Sequence, residues 1–316
     1  MKLLIARPMT EAVETRARAE FDAVVREITT PMTQEEMVQA LTEFDVVVPT
    51  LGDQFSAQIL AQVPQPRCKL LANFGVGYNH IDVAAARAAS IAVTNTPGAV
   101  TDATADIAMT LLLTTARRAG EGERLVRSGL WEGWHPTQML GHHVTGKKVG
   151  IVGMGRIGQA IARRCHFGFG MSVAYQSRSP KQLDFPAEYI PDLSVMASAA
   201  DFVVIAVPGG AETRHLINAE VMEAMKPTGI LVNIARGEVV DEVALISALQ
   251  AGQIAGAGLD VYEFEPTVPH ALREMENVTL LPHLGTATEE VRTDMGHMAL
   301  DNVAAFVAGR PLPNPV

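Results

Sequence analysis

The stretch Lys148–Arg178, KVGIVGMGRIGQAIARRCHFGFGMSVAYQSR, leaves this chain little choice of fold. A short apolar run, Val149–Val152, reads as a buried parallel strand. It leads straight into Gly153, Gly155 and Gly158, then into a helical pattern carried by Ile161 and Ala162, and a second strand follows at Met171–Tyr175. In a strand–G-x-G-x-x-G–helix–strand unit each glycine has a mechanical task. Gly153 makes the tight turn, Gly155 admits a pyrophosphate to the backbone, and Gly158 lets helix and strand approach. The helix then offers unpaired N–H groups and its positive dipole end to the phosphates. Without its flanking strand and helix the glycine motif is weak evidence. With them it predicts a dinucleotide site that includes Met154, Arg156 and Ile157 between the glycines.

A chain of 316 residues has room for about two domains, each with its own core. The formal net charge of −10 argues against nucleic acid or an anionic membrane surface as the main partner. It does not exclude small anionic substrates, because local Arg or Lys side chains decide those. Two cysteines, Cys68 and Cys165, cannot form a disulfide framework and fit a reducing compartment. The opening MKLLIARP is too short and too soon interrupted to read as a signal peptide. No run reaches the roughly 18 apolar residues that span a bilayer. The expectation is a soluble cytoplasmic protein.

Short apolar strands alternate with helical patterns almost from end to end. In the first hundred residues, strands are predicted at Lys2–Ala6, Val24–Ile28, Asp45–Pro49, Lys69–Asn73 and Ile91–Thr94. Helices are predicted at Thr10–Phe21, Gln34–Leu41, Ser56–Ala61 and Asp82–Ala89, with Thr33 and Glu36 forming a capping box for the second. Repeated βα of this kind makes a parallel sheet. One long helix is predicted from about Thr101 to Arg127, followed by an irregular loop, Gly129–Gly146, rich in aromatic and His residues. Loops of that length tend to be functional or to mediate contacts. A second α/β unit opens at Lys147, with further strands at Phe202–Val207, Ile230–Ile234, Ala255–Asp260 and Val278–Leu281. The tail, Thr288–Ala308, reads as an amphipathic helix with Val291, Met295, Met298, Val303 and Phe306 on one side, packing back on the first unit.

Three reactive side chains follow strands of the second unit: Arg236 after GILVNIA, Glu265 after GLDVYEFEP and His283 after VTLLP. In an open α/β sheet such positions face the ligand crevice. Reduction of a 2-keto acid by hydride needs a proton donor at the carbonyl oxygen and a cation for the carboxylate. His283 suits the first role, since imidazole titrates across physiological pH. Glu265 would bond the other ring nitrogen and favour the imidazolium. Arg236 can hold carboxylate and carbonyl oxygens in a fixed fork. Taken singly, a His near a strand end is commonly structural, an Arg there a solvated cap, and a Glu in EFEP surface charge. It is their joint placement that points to chemistry.

The chain resembles the D-isomer-specific 2-hydroxyacid dehydrogenases, and among them the glyoxylate/hydroxypyruvate reductase branch. The resemblance covers nearly all of it, through NFGVGYNHID (73–82), TNTPGAVTDATADIA (94–108), WHP (134–136), the glycine motif, NIARG (233–237), AGLDVYEFEP (257–266) and PHLGTAT (282–288). The spacings also fit, with Glu265 29 residues after Arg236 and His283 18 after Glu265. The resemblance implies two doubly wound parallel-sheet α/β domains. A flavodoxin-like substrate domain would take residues 1–98 and 289–316, and a Rossmann dinucleotide-binding domain residues 99–288. It implies an NAD(P)H-dependent reductase that converts glyoxylate, hydroxypyruvate and similar keto acids to D-2-hydroxy acids. The main-chain N–H groups of Val76 and Gly77 would complete the carboxylate site. Thr104, Val207, Pro208, Thr213, Ile234, Asp260, His283 and Gly285 would line the cofactor, Asp260 near the nicotinamide amide. The loop carrying Trp134 and His135 would cross a homodimer, with Trp134 bordering the neighbouring subunit's substrate site; a plain packing anchor is the competing reading. His80 stands where the family more often has Asn and reads as a surface or hinge residue. The adjacent His142 and His143 do not form a metal site. Pocket shape near Leu51, Phe74, Val76 and Trp134 would select the keto acid. A sister branch acting on phosphite, or a redox-sensing binding protein of the same fold, remains open.

The second strand of the Rossmann unit bears on the choice of cofactor. NAD-specific versions carry an acid about 20 residues past the glycine motif, bonded to the ribose hydroxyls. Here that position, 23 residues past Gly153, holds Gln176, and no carboxylate appears until Asp184. Ser177, Arg178 and Lys181 offer a hydroxyl and two cations to a 2′-phosphate, so NADP(H) is expected to be preferred, with NAD(H) possible.

Overall fold

The computed structural model describes residues 1–316 and divides into two compact units, Met1–Val100 with Thr286–Val316, and Thr101–Gly285. The first unit holds five parallel strands: β1 Lys2–Ile5, β2 Asp22–Val25, β3 Val46–Val48, β4 Leu70–Ala72 and β5 Ala92–Thr94. Their order is β2-β1-β3-β4-β5, the doubly wound arrangement. All three residues of β3 and of β4 are buried, as expected for strands covered on both faces. The capping box is present: Glu36 N–H donates to Thr33 Oγ1 at 3.2 Å and Thr33 N–H to Glu36 Oε2 at 2.8 Å. A cap of this kind contributes about 1 kcal/mol to the helix Gln34–Glu43.

The C-terminal helix, Glu289–Val307, belongs to this first unit. Its buried face is not quite the stripe expected from the large side chains. Met295 and Val303 are buried, but Val291, Met298 and Phe306 are only partly so, and Gly296, Ala299 and Leu300 take the centre. The reason is close approach to the helix Glu11–Glu20: a Cβ on Gly296 would lie 2.4 Å from Val13 Cγ2. Small residues define that contact, and hydrophobicity alone does not find them. Ala299, Leu300 and Val303 complete a core with Leu3, Ile5, Val46 and Leu70.

The second unit holds seven parallel strands: β6 Lys148–Val152, β7 Ser172–Gln176, β8 Glu188–Tyr189, β9 Phe202–Ile205, β10 Ile230–Asn233, β11 Gly256–Leu259 and β12 Val278–Leu280. The order β12-β11-β10-β9-β6-β7-β8 reverses direction between β6 and β9, which is the topological switch point. Alternate residues serve opposite layers: Phe202 and Val204 pack with Val149 and Ile151, while Val203 and Ile205 pack with Val152 and Leu231.

The single helix expected over 101–127 is two, Thr101–Ala116 and Ala119–Arg127. Arg118 breaks it in the left-handed conformation, φ 52°, and its guanidinium turns onto Glu121 at 2.6 Å. Gly120 and Gly122 just beyond weaken helix propagation. Leu111 and Leu112 are fully buried. The segment between Gly129 and Gly146 has no helix or strand, and no helix of the chain is long and apolar enough to cross a membrane.

Candidate active site

The glycine motif lies at the switch point, and its geometry separates the three glycine tasks. Gly153 has φ +96°, and a Cβ there would lie 2.7 Å from Val207 Cγ1 and 2.8 Å from Ala206 O, just past β9. Gly158 abuts the same turn, since its Cβ would fall 2.0 Å from Gly153 O. Gly155, the N-cap of the helix Arg156–Arg163, is different: a Cβ there would meet nothing within 4 Å. That leaves open ground above the N-terminus of an eight-residue helix, whose free N–H groups and dipole favour an anion.

At the end of β7 the chain turns through Gln176, whose carbonyl accepts from Gly153 N–H at 2.8 Å. Ser177 is half-buried, Arg178 is exposed, and no carboxylate lies within ion-pair distance of Arg178. Asp184, the first acid downstream, is engaged by Arg163. Lys181 Nζ donates to Ser179 Oγ at 3.2 Å.

Arg236, Glu265 and His283 all belong to the second unit. Asn233, the last residue of β10, shapes the turn that carries Arg236. Its Oδ1 accepts from Ala235 N–H and its Nδ2 donates to Arg236 O, both at 3.0 Å. Gly237 follows because nothing else fits: a Cβ would sit 1.8 Å from Tyr262 C. Arg236 Nη1 donates to Ala235 O at 2.6 Å, and no carboxylate lies within 4 Å of the guanidinium. Burial pulls the Arg236 pKa down, and the charges of Glu265 and Glu238 only partly offset this. Its accessible surface is intermediate, but protein surrounds the charged head densely enough to desolvate it. An under-compensated cation of this kind is prepared for an anion from outside.

Glu265 is held at both oxygens. Tyr262 N–H donates to Oε1 at 3.0 Å, and His283 Nδ1 lies 2.9 Å from Oε2. The carboxylate fixes the tautomer: Nδ1 carries a proton toward Glu265, which leaves Nε2 for a ligand. Burial pushes the Glu265 pKa up, but the bond and charge of His283, the Tyr262 N–H and the Arg236 charge outweigh it. The group therefore stands below its ordinary value of 4.5. The His283 backbone is itself constrained, at φ 55°. Asp260 braces that turn by accepting Leu284 N–H at 2.6 Å and Gly285 N–H at 2.8 Å, while its own carbonyl accepts His283 N–H at 3.0 Å. Thr104 Oγ1 ties in through Gly285 O at 3.1 Å.

Among the other expected residues, Val207, Pro208, Thr213 and Ile234 follow β9 and β10, and Thr213 Oγ1 donates to Pro208 O at 2.7 Å. Trp134 is 79% exposed, so it is not a packing anchor within its own unit. Val76 and Gly77 lie in the first unit, on the loop after β4. His80 is not a surface residue: it is 5% exposed and its Nε2 lies 2.9 Å from Asn73 Oδ1. Asn233, Tyr262 and Gly237 were not singled out by sequence, although a polar residue closing an apolar strand, as in LVN-IARG, is a usable signal. Cys68 and Cys165 are buried, which pushes each thiol up to about 12 and leaves neither as a nucleophile.

Known proteins resemble this chain. Residues 109–285 match the family model "D-isomer specific 2-hydroxyacid dehydrogenase, NAD binding domain". A glyoxylate reductase of Thermococcus onnurineus is 44% identical over 99% of this chain and 94% of its own length. A glycerate dehydrogenase of Hyphomicrobium methylovorum is 36% identical over 98% and 96%. The crystal structure of an NADPH-dependent glyoxylate/hydroxypyruvate reductase from Sinorhizobium meliloti, in complex with NADP and malonate, superposes with a TM-score of 0.88 at 38% identity, covering 100% of this chain and 96% of that one. With a matching model over more than half its length and relatives of this similarity across nearly all of it, the chain belongs to the D-isomer-specific 2-hydroxyacid dehydrogenases.

Proposed function

We propose that this protein reduces small 2-keto acids, glyoxylate and hydroxypyruvate foremost, to 2-hydroxy acids with NADPH as the preferred cofactor. The observation that carries the reading is the fixed Tyr262–Glu265–His283 relay beside an unpaired, desolvated Arg236. A bound reduced nicotinamide supplies the hydride to the carbonyl carbon. His283 Nε2 gives its proton to the carbonyl oxygen as that oxygen takes up the electron pair of the breaking π bond. Glu265 holds the imidazolium, and Arg236 grips carboxylate and carbonyl together. Val76 and Gly77 add main-chain N–H donors for the carboxylate. Gly153–Gly158 and Thr213 carry the cofactor phosphates and adjoining sugar, and Thr104, Ile234, Asp260 and Gly285 the nicotinamide end. The names of the relatives support the substrate class. Purified protein with NADPH or NADH and a panel of 2-keto acids, followed by nicotinamide absorbance, tests the assignment. Steady glyoxylate turnover is expected, and its absence with every keto acid would overturn it.

The NADPH preference rests on Gln176 in the acidic position and on Arg178, exposed and free of a carboxylate partner. A charge-assisted hydrogen bond contributes about 1.5–3 kcal/mol. The preference in kcat/KM should therefore be about 10–100-fold, and Arg178→Ala should remove most of it while sparing NADH kinetics. Equal damage with both cofactors would contradict the role given to Arg178.

Glu265→Gln separates proton retention from substrate binding. The wild-type carboxylate, ionised below its ordinary 4.5, keeps its bond to His283 through mildly acidic pH and loses it as pH falls through that lowered value. Glu265→Gln removes that titrating group, so the acid limb of the reduction profile should shift in the variant. Superimposable pH profiles would show the two groups uncoupled.

We further propose a homodimer built mainly from the second unit. Leu130, Trp131, Trp134 and Leu140 stand 71%, 50%, 79% and 68% exposed along one irregular loop, an apolar patch that a second copy would cover. Trp134 would then border the partner's substrate site. Sedimentation should give twice the chain mass at micromolar concentration; a fully active monomer would refute it. The buried free thiols fit a reducing, cytoplasmic setting.

A further inference from the structure

We infer that His80 is a positioning residue for the keto-acid carboxylate, acting through Asn73 on the Gly75–Gly77 loop. The inference rests on the proposal that Val76 and Gly77 N–H groups bind that carboxylate. Asn73 follows β4 and is fully buried. Its Nδ2 donates to Gly75 O and to Gly77 O, each at 3.0 Å. Two carbonyls on one side of the amide fix its orientation, so Oδ1 faces the other way and can only accept. His80 Nε2 sits there at 2.9 Å and must be the protonated nitrogen.

The rest of the loop is tied by the same kind of contact. Gly75 O also accepts from Thr96 N–H at 3.0 Å, and Val76 O accepts from Asn95 Nδ2 at 2.9 Å. All three carbonyls, of Gly75, Val76 and Gly77, are thereby drawn onto the protein. Peptide planarity then commits the N–H groups between them to fixed directions. A main-chain anion site has only this rigidity to rely on, because its donors have no side chains to adjust. His80 stands three residues before the helix Val83–Ala88, which Asp82 caps through Ala85 N–H at 2.9 Å. The imidazole therefore transmits a helix-anchored position to Asn73 and so to the loop. A histidine present only to fill volume would not need its ring nitrogen on a buried amide that already spans two loop carbonyls.

The test compares His80→Phe, His80→Gln and Asn73→Asp in the full-length protein. His80→Phe keeps a ring and removes the donor. It should raise KM for glyoxylate and Kd for oxamate, a non-reducible keto-acid mimic, by about 10-fold, which is the range for one buried hydrogen bond. kcat and KM for NADPH should move by less than about 3-fold. His80→Gln restores a donor and should recover most of the loss. Asn73→Asp keeps the acceptor for His80 but sets oxygen against the two loop carbonyls, and it carries the test if His80→Phe does not fold. In both disruptive variants, a lowered Tm with unchanged glyoxylate KM and oxamate Kd would make the pair merely structural and overturn the inference. Val76→Pro and Gly77→Pro, which delete the proposed donors one at a time, isolate the underlying reading. If neither weakens oxamate, the carboxylate assignment falls and the inference with it; if both do and the His80 and Asn73 variants do not, only the brace falls.

Discussion

Replacing His283 by alanine should lower glyoxylate turnover by about 10²–10⁴-fold, the usual contribution of a positioned general acid. The size follows from how completely the imidazole is fixed. Its Nδ1 is 2.9 Å from Glu265, its main-chain N–H is held by Asp260 O, and the turn after it is locked by two bonds to the Asp260 carboxylate. Water entering the alanine cavity inherits none of this orientation. Cofactor affinity should fall far less than turnover, because the glycine turn and the end of β7 are untouched. In the variant, burial of Glu265 also loses its strongest opposition, so that carboxyl should titrate higher than in the wild type. The measurement is single-turnover reduction, where chemistry limits the rate. If more than about a tenth of the wild-type rate survived, another group would be the acid.

Most of the scaffold behind this prediction was legible as pattern. Runs such as Val46–Val48 and Phe202–Ile205 are buried throughout, and continuous apolarity between turn signals is what a doubly covered parallel strand requires. Elements broke from the expectation where a local contact outweighed periodicity. Arg118 ends a helix whose apolar pattern continues, because its guanidinium caps Glu121 and glycines follow. The C-terminal helix turns Gly296 onto Val13, a contact too close for any side chain, where the expected stripe ran through larger residues.

At the site, the residues proposed to do the chemistry stand out by type and position at strand ends, and the residues that hold them do not. The polar Asn233 closing an apolar strand marks a turn without saying that it shapes the one under Arg236, and nothing in the pattern says that Tyr262 pins Glu265 by its N–H. Those tasks belong to a main-chain group or a short amide, and only three-dimensional proximity assigns them. His80 was misread for the same reason: a polar ring in a loop sequence suggests solvent, while the fold buries it against Asn73. Gly237 reads as a turn residue, whereas its cause is a Tyr262 backbone too close for any side chain.

Arg236→Gln should lower kcat/KM for glyoxylate by about 10²–10³-fold while raising the Tm of the free enzyme. The loss of activity would come from the two charge-assisted hydrogen bonds proposed between Arg236 and substrate, each contributing about 1.5–3 kcal/mol, with partial replacement by the glutamine amide. Arg236→Lys should fall between, since it keeps the charge and loses the fork. The gain in stability follows from the opposite side of the same feature. In the free enzyme the guanidinium is desolvated, finds no carboxylate within 4 Å and has its pKa pulled down, so folding holds a cation where the surroundings disfavour one. A neutral side chain escapes that cost. Recovery of even 1 kcal/mol would raise Tm by about 2–4 °C in a unit of this size. Bound oxamate should stabilise the wild type and not the variant, because the anion supplies the charge Arg236 lacks. A variant that lost both activity and stability would mean that Arg236 is compensated within the protein, and that its role in the folded state is structural.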